Sequence, residues 1–289
     1  VVPLTRTWRL RQQVAVQDSI GQGGRGMARV RVGDIEVHYE EQGQGSAVVL
    51  VHGLGNDLHL WDEVATDLAR LHRVIRYDVR GFGETDRPAG PYTLAGFAID
   101  LAGLLDALAV DRAHVMGLSM GGVIAQRLAL DFPQRVRSLV LVSTSSEVGD
   151  KARAAWLRLA DVIESRGFDA RSADASRAFS PEFAERHPEI VAATGKDNAA
   201  NDPRAYAAAA RASGDFAWTA ELGRIGCPVL IVQGLADRLT PPGGSVKMAR
   251  GLRRARLLML EGAGHNIQIE QPVALANAAL GFFAGVDLA

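Results

Sequence analysis

Gly117-Leu118-Ser119-Met120-Gly121 sets a serine between two glycines, directly after the apolar run Ala113 to Met116 and directly before a helix-patterned segment from Met120 to Asp131. In a strand-to-helix turn this sharp, a Cβ at 117 or 121 would collide with neighbouring backbone, and the serine hydroxyl is thrust into the open. The helix that follows supplies a partial positive charge and unpaired N–H groups. Serine by itself is a poor nucleophile at neutral pH; it needs a base that a third group holds in place. His265, in the glycine-rich stretch Glu261-Gly262-Ala263-Gly264-His265-Asn266, is the candidate base, and Asp237, in Gln233-Gly234-Leu235-Ala236-Asp237, is the candidate acid. Each follows an apolar strand-like run, so both belong on loops at the carboxyl edge of a sheet, where ligands bind in open α/β sheets. Glu147 is the reserve candidate for the acid. Taken singly, a loop aspartate is usually a turn former and a lone histidine usually structural; the three in this order, each at a strand end, point to acyl transfer.

Acyl transfer also needs donors for the oxyanion of its tetrahedral intermediate. His52-Gly53-Leu54-Gly55 follows another buried run, and the backbone N–H groups of Leu54 and Met120 are assigned to this task. His52 itself is expected to brace the loop. The spacing of His38, His59, His72, His114 and His187 suggests no metal ligand set, and the reaction calls for neither metal nor cofactor.

Positioning these groups requires a particular scaffold. Val30 to Tyr39 reads as a hairpin turning at Gly33-Asp34, and Ala47 to Val51 is a continuous apolar run of the kind buried on both faces. Helical spacing over Leu58 to Leu71, strand at Arg73 to Tyr77, helix at Leu94 to Ala109 and strand at Val136 to Val142 continue an alternation that demands parallel strands with helices on both faces. The rhythm stops after Val142 and resumes with Pro228 to Val232, a helix near Ser245 to Gly251, the strand Arg256 to Leu260 and a last helix from Pro272 to Phe283. Between them lies an Ala- and Arg-rich helical stretch divided by Pro181, Pro188 and Pro203. The expected organisation is an extension over 1–28, a core over 29–146 and 221–289, and a helical cap over 147–220, with Met27 as the natural start.

Composition narrows the partners. The 289 residues carry 32 basic and 33 acidic side chains, so no net field draws the chain to nucleic acid or an anionic surface. One cysteine, Cys227, excludes an internal disulfide and makes a reducing cytoplasm the simpler setting. No apolar run approaches the roughly 20 residues of a membrane span. The expected partner is a small-molecule ester or lactone, and a homodimer is left open.

These residues resemble the α/β-hydrolases over Met27 to Phe283: His52 to Gly55, Trp61-Asp62, Tyr77 to Gly83, Gly117 to Gly122, Asp237 and Gly264-His265. The chain order Ser, Asp, His is that family's. The resemblance implies an α/β-hydrolase fold, a mostly parallel, doubly wound eight-stranded sheet with a helical cap inserted after the strand ending near Val142. Within the family, Leu58 to Asp62, Pro91 to Leu94 and Gly117 to Gly122 look most like 3-oxoadipate enol-lactonases, arylesterases and cofactor-free haloperoxidases. His52-Gly53 departs from the Asn-Ser of enol-lactonases, and Gly55 from the proline of haloperoxidases, which shifts weight to a general serine carboxylesterase. Ser119 argues against dehalogenases and epoxide hydrolases, whose elbow bears aspartate. Carbon–carbon bond hydrolases of ring-cleavage products, cofactor-free perhydrolases and hydrolase-fold ligand receptors stay open. Cap aromatics Phe179, Phe183 and Trp218, with Tyr206 and Phe216, are candidates for an apolar pocket or for packing cap on core; an inward Arg171, Arg177, Arg186, Arg204 or Arg211 would suit a carboxylate-bearing lactone. Asp78 and Arg80 are assigned no chemical role.

Overall fold

A computed structural model describes residues 26–169 and 174–288. Most of the segment assigned to an extension lies outside the described residues, as does Arg171. β1 (Gly26–Val32) begins two residues ahead of the boundary drawn at Ala28 and pairs antiparallel with β2 (Ile35–Gln42). β2 is antiparallel to β4 (Arg73–Tyr77), and from there β3 (Ala47–Val51), β5 (Ala113–Leu118), β6 (Val136–Val142), β7 (Val229–Gly234) and β8 (Ala255–Leu260) run parallel, in the spatial order β1-β2-β4-β3-β5-β6-β7-β8.

Alternating side chains send each central strand into two cores. One face carries Val49, Ile75, Val115, Leu139 and Ile231 against Phe97 and Leu101 of α2 (Leu94–Ala107) and Ile124 and Leu128 of α3 (Met120–Asp131). The other carries Val48, Leu50, Met116, Val140 and Val232 against Val64 and Leu68 of α1 (Asp62–Leu68) and Leu275, Ala279 and Phe283 of the last helix. A sheet covered on both faces explains why these strands read as unbroken apolar runs.

The helix expected over Leu58 to Leu71 is divided: a 3-10 turn at Leu58–Trp61 precedes α1. Its start is set from outside, since the Leu58 N–H donates to the buried Asp78 carboxylate at 2.8 Å, while Asp57 accepts from the His59 N–H.

After β3 the chain steps outward to β4, and then returns across β3 to β5. The strand order reverses between β3 and β5, and such a switch point opens a crevice beyond the carboxyl ends of the strands. The cap departs after β6 through a short two-stranded neck, with Val148 N–H donating to the Phe216 carbonyl and Trp218 N–H to that of Ser146, both at 3.0 Å. It holds α4 (Asp150–Arg166), α5 (Pro181–Arg186), α6 (Pro188–Ala199) and α7 (Pro203–Ser213), each of the last three with proline in its first turn, where the missing N–H costs no helix bond. Beyond β7 come α8 (Gly243–Gly251), α9 (Ile267–Glu270) and α10 (Pro272–Asp287).

Candidate active site

Ser119 joins β5 to α3 with φ +52° and ψ −117°, a conformation that side-chain-bearing residues rarely adopt. Close contacts enforce it: a Cβ on Gly117 would lie 2.3 Å from the Gly121 carbonyl oxygen, and one on Gly121 would lie 2.2 Å from that of Val51. The turn is pinned by the Ser119 N–H on the Val142 carbonyl at 3.0 Å and by Thr144 Oγ1 donating to the Ser119 carbonyl at 2.8 Å. Strain of this kind costs on the order of 1–3 kcal/mol. Ser119→Gly should therefore raise unfolding stability by about 1 kcal/mol, glycine's own entropy cost included, a gain that urea unfolding would read.

The neighbouring loop packs against this turn, for a Cβ on Gly53 would stand 3.5 Å from Ser119 Cβ. His52 fixes the loop's orientation. Its Nδ1–H donates to the Gly53 carbonyl at 2.7 Å while its Nε2 accepts the Val79 N–H at 2.9 Å, so the buried ring is neutral; burial holds its pKa below the usual range. In a trans peptide the C=O and the following N–H point in opposite directions. Fixing the Gly53 carbonyl against His52 thus directs the Leu54 N–H away from it. Met120 is the first residue of α3, where N–H groups have no partner within the helix.

Asp237 and His265 meet on the loops after β7 and β8. The His265 Nδ1–H donates to Asp237 Oδ2 at 2.9 Å, which leaves Nε2 as the basic nitrogen. Both side chains are buried. Asp237 Oδ1 accepts the Leu239 and Thr240 N–H groups at 2.8 and 2.9 Å, and Oδ2 also accepts Thr240 Oγ1 at 2.7 Å and Gln233 Nε2 at 3.1 Å. Burial works against the charge on Asp237, but the hydrogen bond and charge of His265 and the Thr240 donors outweigh it and hold the carboxyl at about 2. Depressed in the folded state, it adds stability above the unfolded carboxyl range that is lost as pH falls towards 2. That contribution is about 2 kcal/mol. Between pH 5 and 2 the unfolding free energy of the native chain should fall more steeply than that of Asp237→Asn, a difference that denaturant titrations at stepped pH would measure.

Several partners of the site could not be found by reading motifs. Gln233 Oε1 takes the Ser245 hydroxyl at 2.7 Å, which orients its amide on Asp237. Glu270, from α9, accepts the Gly264 N–H at 2.9 Å and the Ser180 N–H at 3.0 Å, joining the histidine loop to the cap. Asp78, given no role from sequence, is a buried hub that accepts from His38 Nδ1 at 2.7 Å and the Glu84 N–H at 2.8 Å, besides the Leu58 N–H. Glu147 is held instead by Thr219 and Lys247 at the cap neck, away from the histidine.

The aromatic candidates separate. Phe179 is fully buried, stacks on Phe183 at 5.3 Å, and lies beside the histidine loop, where the Asn266 N–H reaches the Ala178 carbonyl at 2.9 Å. Tyr206 packs over Gly55, and burial pushes its phenol up to about 12. Trp218 packs on Phe216, its ring tilted by 37° at 4.8 Å between centroids, and donates from Nε1 to Gln126 on α3 at 3.3 Å. It thus takes part in the packing of cap neck on core, as does Phe216. Arg186 pairs with Glu182, Arg211 with Asp161 and Glu164, and Arg177 and Arg204 are exposed. Among the described residues none of the cap arginines singled out for a carboxylate faces inward.

A serine elbow at a switch point, with a carboxylate-held histidine on the adjoining loops, is the architecture of one fold family. Residues 46–272 match the model of the alpha/beta hydrolase fold, and the chain belongs to that family. It is similar to the 3-oxoadipate enol-lactonase 2 of Acinetobacter baylyi, 32% identical over 249 residues that cover 85% of this chain and 92% of that one. A 2-hydroxy-6-oxo-2,4-heptadienoate hydrolase of Pseudomonas putida is 34% identical over 269 residues, 89% and 96% of the two chains. Among solved structures, a thermophilic esterase from Thermogutta terrifontis superposes with a TM-score of 0.84 at 28% identity, covering 90% of this chain and 99% of that one. No helix among the described residues is long and apolar enough to cross a membrane.

Proposed function

We propose that this hydrolase cleaves small to medium esters or lactones through an acyl-enzyme on Ser119. The observation that carries the reading is the 2.9 Å bond between His265 Nδ1 and a five-fold hydrogen-bonded Asp237 carboxylate, on the sheet edge that also bears the strained Ser119. Ser119 Oγ attacks the carbonyl carbon as His265 Nε2 takes its proton. The Leu54 and Met120 N–H groups receive the oxyanion, and His265 protonates the leaving alkoxide. Water, deprotonated by the same nitrogen, then releases the acid and restores Ser119. Asp237 stabilises the imidazolium in both halves.

The described cap arginines, paired on the surface or exposed, favour substrates without a free carboxylate, because a charge that enters a buried site unpaired is costly. Initial rates over p-nitrophenyl esters of rising acyl length should peak at short to medium chains. An ester whose acyl chain ends in a carboxylate should be slower by about tenfold. Comparable or faster turnover of the anionic ester would overturn the preference, and negligible turnover of every ester would overturn the reading. The kinship with the Pseudomonas putida hydrolase supports a second reading, cleavage of a carbon–carbon bond by the same three residues. Turnover of a vinylogous 1,5-diketone with no ester hydrolysis would favour it.

A further inference from the structure

The loop bearing the Leu54 N–H is held from two sides. On the core side, His52 fixes the Gly53 carbonyl at 2.7 Å. On the cap side, the Asn201 side chain, just beyond the end of α6, donates from Nδ2 to the Gly55 carbonyl at 2.8 Å. The same amide group donates to the Asn198 carbonyl at 2.9 Å and approaches that of Asp197 at 3.3 Å, so its two protons tie the terminal carbonyls of α6 to the loop. Contact between the two is close: Gly55 has φ +79°, and a Cβ there would stand 3.0 Å from both Asn198 Oδ1 and Tyr206 Cε2. Leu54, like Tyr206 and Trp156, packs on the buried alanines Ala160, Ala207 and Ala210 of the cap.

Resting on the ester-hydrolase reading, we propose that Asn201 is a positioning residue for the oxyanion hole, a side chain of the cap that sets the Leu54 N–H and makes its alignment depend on the seating of α6. A peptide unit anchored at one end rocks about that end. With Gly55 free, whose glycine backbone resists rotation least, the Leu54 N–H would swing about the His52 anchor. Ground-state binding, which does not depend on the oxyanion donors, would change little; stabilisation of the charged intermediate would change most. Losing an oxyanion donor outright typically costs about 10²–10³ in rate, and loosening one costs less.

The test compares the intact enzyme with Asn201→Ala on a p-nitrophenyl ester and on its thionoester, whose larger and softer sulfur gains little from a well-aligned hole. Asn201→Ala should lower kcat for the ester about tenfold with KM within about twofold, while the thionoester rate changes far less, so that the ester-to-thionoester ratio falls. Should the alanine variant fail to fold, Asn201→Ser, which keeps one donor, is measured by the same ratio. An unchanged ratio, whether through unchanged rates or through equal loss on both substrates, overturns the inference alone. No ester turnover by the intact enzyme overturns the hydrolytic reading, and the inference with it.

Discussion

Ser119→Ala is expected to lower kcat for p-nitrophenyl esters by about 10⁶-fold, the scale on which a triad loses its nucleophile. Alanine keeps a Cβ, so it meets the same φ +52° that serine does, in a turn held by the same close approach of Gly117, Gly121 and Val51 backbone. Unfolding stability should therefore shift by less than about 0.5 kcal/mol. Separating the two readouts isolates the hydroxyl: loss of turnover without loss of stability assigns it to chemistry, and turnover within about tenfold of the native rate would remove Ser119 from the reaction. The glycine variant supplies the complement, since it should be equally inactive but more stable.

The second large effect concerns Asp237→Asn, for which kcat should fall by about 10⁴-fold at neutral pH. The reason lies in the asymmetry of the carboxylate. Oδ1 accepts two backbone N–H groups, from Leu239 and Thr240, which only the amide oxygen of asparagine can replace. The amide nitrogen is then forced into the place of Oδ2, facing Thr240 Oγ1, Gln233 Nε2 and His265 Nδ1, all of them donors in the native site. His265 can accept from that amide only by moving its own proton to Nε2, which leaves no basic nitrogen on the edge of the ring away from Asp237. Protein yield and secondary structure should be preserved, and a steady-state comparison with the native chain measures the loss. Activity within tenfold of native would mean that another group orients His265.

Much of this arrangement is legible in sequence because it is local. β3, β5 and β7 are short apolar runs ended by glycine-containing turns, and the groups assigned to chemistry lie within a few residues of a strand end. A strand end fixes a position along the sheet edge, so residues that directly follow parallel strands gather at one edge. The Leu58 to Leu71 segment does not declare its division into a 3-10 turn and α1, because that division depends on Asp78, a partner 20 residues from Leu58. Longer-range partners left no mark at all: Asn201 meets Gly55 from 146 positions away, and Glu270 meets Ser180 from 90. Nothing in the spacing of an asparagine or a glutamate encodes which loop it will reach. An aromatic in a helical insertion must be buried somewhere, but residue type does not say whether the burial is against substrate or against α3, and here Gln126 takes the Trp218 indole N–H. The cap arginines obey the commoner rule of charge kept in water, with Arg211 paired to acids of α4 on the surface.

Covalent trapping tests the acyl-enzyme directly. The native chain would be incubated with diethyl p-nitrophenyl phosphate, an analogue whose phosphoryl group stays on an activated serine, and the released p-nitrophenolate would be counted before the added mass is located by peptide mass spectrometry. The account predicts one equivalent of p-nitrophenolate, one diethylphosphoryl group on the Ser119 peptide, and loss of ester turnover in the same proportion. A label on any other residue, or full ester turnover by a chain that carries no label, would contradict it.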